Sequence, residues 1–138
     1  MLRSSVDMST ESRKSILVVE DDAATRDAVA LVLQDEGYSV TGVANGKEAL
    51  HHLRQTSPPN LILLDLMMPK INGYEFIETV TKEFPVHRPH IIVFTAAGKR
   101  GVEKIPPNTI CNSILKPFDL EKFIEMITNC LDRMHGTS

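Results

Sequence analysis

No apolar run in this chain approaches the ~20 residues that a bilayer span requires; runs such as Ile16 to Val19 and Leu61 to Leu64 stop at acids after four residues. The segment from Met1 to Ser15 is polar and of mixed charge, without the apolar centre of a secretory signal. A cytoplasmic protein without a membrane span is the expectation. Cysteine is scarce, with only Cys111 and Cys130. Two are too few for a disulfide framework, so they read as reduced, partly buried thiols with no chemical role. His51, His52, His87, His90 and His135 are scattered. None combines with a Cys or Glu at zinc-site spacing, and all five read as surface or capping residues. A dense basic block is also missing: 15 basic against 18 acidic side chains give a net charge of -3. Direct nucleic-acid binding is therefore disfavoured.

A length of 138 residues allows one compact domain. The pattern within it alternates. Ile16 to Val19, Tyr38 to Val43, Leu61 to Leu64, Ile91 to Phe94 and Ile110 to Leu115 are short apolar or β-branched strands. Between them lie helical patterns over Ala23 to Glu36, closed by Gly37, over Lys47 to Arg54, opened by Asn45, and over Tyr74 to Phe84. Pro69 and Gly73 bracket the loop that precedes the third helix. Asp119 opens a last helix whose Leu120, Phe123, Ile124, Ile127 and Leu131 are expected on one inward face. Gly98, Gly101, Pro106 and Pro107 make any fourth helix short or irregular. Strands alternating with helices predict an α/β fold, a doubly wound five-stranded parallel sheet flanked by helices. The expected organisation is a tail over 1–14, a domain over 15–134 and a second tail over 135–138.

In such a sheet ligands bind beyond the carboxyl ends of the strands. Here those ends carry Glu20, Asp21, Asp22, Asp65, Thr95 and Lys116. Clustered carboxylates repel one another and favour capture of a hard divalent cation, Mg²⁺ or Mn²⁺. With a metal bound, the Asp65 carboxylate can attack phosphorus, Lys116 can neutralise charge beside it, and the Thr95 hydroxyl can donate to a phosphoryl oxygen. Met67 and Met68 read as apolar cover rather than sulfur ligands. Lys99, Arg100 and Lys104 read as solvated charges. Phe118, Phe123 and Ile127 read as core rather than as a partner face.

Four blocks carry a resemblance: Ile16 to Asp22, Leu63 to Pro69, Phe94-Thr95-Ala96 and Leu115-Lys116-Pro117-Phe118. In this order and at these separations the chain, over roughly residues 15 to 134, resembles the receiver domains of bacterial response regulators. The resemblance implies a flavodoxin-like receiver fold with Asp65 as phosphoacceptor. It also implies Mg²⁺ ligation by Asp21, Asp65 and the Met67 carbonyl, with Glu20 acting through water. Thr95 becomes the switch hydroxyl, Ala96 a backbone N–H donor and Lys116 a lysine before a cis proline, while Asp22 is expected to be a solvated or helix-capping acid rather than a ligand. The implied partners are a histidine kinase or histidine phosphotransfer protein and an unknown downstream protein target.

The sequence departs from the family at Ser113, where an aromatic usually stands three residues before the lysine, and at Pro106-Pro107-Asn108-Thr109, where a Gly-Ala pair is common. Two other functions compete with the phosphorylation switch. One is a phosphorylation-independent interaction domain. The other is a metal-dependent phosphohydrolase, which would want an acid where Met67 stands.

Overall fold

The computed structural model describes residues 13–68, 72–85 and 89–136. Most of the expected 1–14 tail, together with Pro69, His87 and residues 137–138, lies outside the described residues. Five strands alternate with five helices. They are β1 (Ser15–Val19), α1 (Ala23–Asp35), β2 (Ser39–Val43), α2 (Gly46–Gln55), β3 (Leu61–Leu64), α3 (Gly73–Glu83), β4 (His90–Thr95), α4 (Gly98–Glu103), β5 (Asn112–Leu115) and α5 (Leu120–Gly136). All four pairings are parallel, in the order β2-β1-β3-β4-β5. The expected doubly wound sheet is present.

Alternation along the buried strands divides the core in two. Leu17, Val19, Ile62, Leu64, Ile91 and Val93 face one layer, filled by Leu50 and Leu53 of α2 and Phe76, Ile77 and Val80 of α3. Ile16, Val18, Leu61, Leu63, Ile92 and Phe94 face the other, filled by Val29 and Leu33 of α1 and Phe123, Ile127 and Leu131 of α5. Phe118 packs against that second layer, its ring centroid 4.7 Å from that of Phe123.

The helix ends follow local chemistry. Asp22 caps α1, its carboxylate accepting from the Thr25 N–H at 2.9 Å, and Asn45 caps α2 through the Glu48 N–H. At the other end of α1, Gly37 has φ +99°, and the N–H groups of Gly37 and Tyr38 bond back to the carbonyls of Gln34 and Leu33. That pattern satisfies carbonyls the helix leaves over, in a conformation that favours glycine. Asn72 and Glu75 form a reciprocal capping box on α3.

Two details correct the expectations. Leu120, expected to face inward, is 41% exposed, because it opens α5 one turn before the packed stripe that begins at Phe123. β5 begins at Asn112 rather than Ile110; it is an edge strand whose register with β4 starts at Ile92 opposite Asn112. The fourth helix is short, as expected: α4 has six residues, held by the Tyr74 hydroxyl donating to the Gly101 carbonyl at 2.7 Å.

Candidate phosphoryl site at the carboxyl edge of the sheet

β1, β3 and β4 are central strands whose apolar residues leave no exposure, so each chain first meets polar chemistry where its strand ends. Those ends place Glu20, Asp65 and Thr95 side by side, 1%, 4% and 0% exposed, with Asp21 exposed at the rim. Carboxylate oxygens of Glu20, Asp21 and Asp65 lie within 4.8 Å of one another. β5, on the flank of β4, brings Lys116. Its Nζ sits 2.6 Å from Glu20 Oε1, 3.2 Å from Asp65 Oδ2 and 5.1 Å from the centroid of the Phe94 ring. The Lys116-Pro117 bond is cis, as expected.

The remaining polar atoms are held from the backbone. The Met67 N–H donates to Asp65 Oδ1 at 3.0 Å and the Asp22 N–H donates to Glu20 Oε2 at 3.1 Å. Thr95 Oγ1 accepts from the Ala97 N–H at 3.1 Å, which leaves its own proton available to a further acceptor. Ala96 is exposed beside it.

Burial raises the carboxyl of Glu20 above its ordinary value, against the opposing pulls of Lys116 and the Asp22 N–H, and the charge of Asp65 adds to the rise. Burial lowers the ammonium of Lys116, but the bond to Glu20 and the charges of Asp65 and Glu20 together outweigh it, so its value is raised. Two buried acids beside one lysine leave negative charge in excess at a site lined with oxygen. A small hard cation fits such a donor set.

Of the residues expected from the sequence at the strand ends, Glu20, Asp21, Asp65, Thr95 and Lys116 lie at this edge and Asp22 caps α1, while Met67 is 59% exposed and Met68 buried. Three contributors escape sequence patterns. Arg26 donates to the Glu20 carbonyl at 2.9 Å, and Phe94 underlies the Lys116 ammonium. Gly73 abuts the turn after Asp65 so closely that a Cβ there would stand 2.6 Å from Leu66 Cα. Ser113, half-buried in β5 opposite Val93, occupies the position where an aromatic is common.

The Response regulator receiver domain family matches residues 16–128. Response regulator Rre1 of Synechocystis sp. is 32% identical over 126 residues, covering 90% of this chain and 54% of the relative. The probable transcriptional regulator ycf27 of Porphyridium aerugineum is 40% identical over 131 residues, covering 91% of this chain and 51% of the relative. The chain thus spans about half the length of these relatives. Among solved structures, a CheY-like receiver domain protein from Methanospirillum hungatei superposes with a TM-score of 0.83 at 29% identity, covering 92% of this chain and all of the other. TrrA of Thermotoga maritima, solved in complex with Mg²⁺ and BeF, superposes with a TM-score of 0.75 at 28% identity over 85% of this chain and 98% of that one. Family match, relatives and fold agree: this chain belongs to the receiver domains of two-component response regulators.

Proposed function

We propose that this chain, over residues 15–134, is a phosphorylation-controlled switch in which Asp65 accepts a phosphoryl group from a histidine kinase or histidine phosphotransfer protein. The observation that carries this reading is the gathering of buried Asp65 with Glu20, Asp21 and Lys116 at one strand edge. An Asp65 carboxylate oxygen forms the bond to phosphorus as the bond from phosphorus to the donor's imidazole nitrogen breaks, and that nitrogen recovers a proton. Lys116 offsets charge beside Asp65, and the Thr95 hydroxyl and the Ala96 N–H would bond phosphoryl oxygens.

Asp21, Asp65 and the Met67 carbonyl would hold Mg²⁺ or Mn²⁺, with Glu20 acting through a bound water. When bound, the cation neutralises phosphoryl oxygens and orients the donor. Slow hydrolysis of the acyl phosphate by water would reset the switch. The readout is a change in affinity for a downstream protein, in a cytoplasmic setting; among the described residues no helix is long and apolar enough to cross a membrane.

The test is intact-protein mass spectrometry after incubation with Mg²⁺ and acetyl phosphate. The expected outcome is one added phosphoryl group on the wild type and none on Asp65→Asn. Equal addition to both would refute Asp65 as acceptor. No addition to either, with Mg²⁺ shown to bind, would favour a phosphorylation-independent interaction domain.

A further inference from the structure

The sequence offers no zinc spacing, yet the fold builds a second cluster of donor atoms far from the first. His90 opens β4, Cys111 immediately precedes β5, and Cys130 lies in α5. One ring nitrogen of His90 and the two sulfurs lie within 4.8 Å of one another. The cysteines are not joined in a disulfide. Three elements far apart in sequence meet here because β4 and β5 are adjacent and α5 packs across the face they share.

The surroundings fix the donors without closing the site. Cys130 is buried in the α5 layer beside Leu131 and Ile127. The position of Cys111 is set from the backbone, where its N–H donates to the Ile91 carbonyl at 2.6 Å. His90 is exposed and Cys111 half-buried, so an ion has a way in.

We propose that His90, Cys111 and Cys130 form a site for a soft d¹⁰ cation, with Zn²⁺ as its ordinary occupant. Donors of tetrahedral zinc stand roughly 3.5–3.8 Å apart, given metal bonds of ~2.3 Å to sulfur and ~2.0 Å to nitrogen, so small side-chain shifts suffice to reach that geometry from this cluster. Two thiolates and an imidazole select such an ion over Mg²⁺, which prefers oxygen. Three protein donors leave one position for water or an external ligand. The third donor, His90, is what separates this cluster from a thiol pair awaiting oxidation.

The two sites are independent. His90 and Thr95 are the two ends of β4, so ~17 Å of strand separates them at ~3.3 Å per residue. A bound ion at the His90 end would tie β4, the entry to β5 and α5 together and would stabilise the folded chain by mass action.

Co²⁺ is the probe, because thiolate-to-cobalt charge transfer reports sulfur ligation and is silent for an oxygen site. Titration of the reduced full chain is expected to give a saturating near-ultraviolet charge-transfer band that Zn²⁺ abolishes. Substitution of even an outer-shell partner lowers metal affinity ~10–100-fold, so removing a direct ligand in His90→Ala or Cys111→Ser is expected to lower it by more than ~100-fold. Both variants alter side chains that are exposed or half-buried, and their far-ultraviolet circular dichroism and Mg²⁺ affinity are expected to match the wild type. A reduced wild type without the band overturns the proposal. So does a band of unchanged affinity in His90→Ala, or a chain that forms the Cys111–Cys130 disulfide and takes up no metal when reduced.

Discussion

β4 ends in opposite chemistries. At Thr95 it meets two buried carboxylates and a lysine, a site of hard oxygens that carries charge whether or not a cation is present. At His90 it meets two sulfurs and an imidazole, soft donors drawn from a strand start, a loop and a helix. Burial of charge at the first end opposes folding: Glu20 is desolvated and repelled by Asp65, which raises its carboxyl against the pull of Lys116. Under the proposed phosphoryl role such buried charge is required, so part of the stability would be given up to keep the site ready for a cation and an anion together. The second end, by contrast, sets one of its donors, Cys130, inside a core layer.

The largest effect that would sharpen this contrast is expected from Asp21→Ala. Asp21 is exposed, so the fold should survive while Mg²⁺ affinity falls by ~100-fold or more in calorimetric titration. The cobalt signal from the His90 end should not move. Loss of both signals together would break the claim that the two ends are independent.

Gly73→Ala ranks next. Alanine inside a helix usually stabilises relative to glycine, but the new Cβ would stand 2.6 Å from Leu66 Cα, and overpacking of this kind costs about 1–3 kcal/mol. Urea unfolding should show that loss, and phosphoryl uptake should fall because the strained turn carries the Met67 N–H that bonds Asp65. A stabilised variant would contradict the close approach.

Asp22→Ala should lower the urea midpoint modestly through loss of the α1 cap. Mg²⁺ affinity should be unaltered, since the Asp22 carboxylate is committed to Thr25. A marked fall in affinity would reassign Asp22 as a ligand.

The smallest effect concerns Glu20→Gln in metal-free protein, where relief of the buried charge is partly offset by loss of the bond to Lys116. Because the folded carboxyl is raised, its contribution to stability is fully present below its unfolded value of 4.5 and is lost as pH climbs through the folded value. Lys116, also raised, keeps its contribution until pH rises past 10.5, outside this window. Urea midpoints of the wild type should therefore decline relative to Glu20→Gln from pH 4.5 upward. A wild type that gains on the variant across that range would overturn the sign.

How much of this was legible in the chain differs between the ends for a physical reason. Ile16 to Val19, Leu61 to Leu64 and Ile91 to Phe94 are continuous apolar runs, as central parallel strands must be, so the strand ends and the groups just beyond them could be read directly. The oxygen site is built from those ends and is local in sequence to each strand. His90, Cys111 and Cys130 come from a strand start, a loop and a helix, and only strand order brings them together. No spacing rule reaches that arrangement. Leu120 was misplaced because periodicity reveals a helix's apolar stripe but not where the neighbouring layer stops. Gly73 reads as an ordinary loop glycine until the Leu66 backbone is seen against it.

Borohydride trapping reports directly whether Asp65 is the residue that takes the phosphoryl group. The chain is phosphorylated with acetyl phosphate and Mg²⁺, reduced so that the acyl phosphate becomes an alcohol, and mapped by peptide mass spectrometry. Homoserine is expected at position 65 alone; homoserine at position 21 or 22 with Asp65 intact would overturn Asp65 as acceptor.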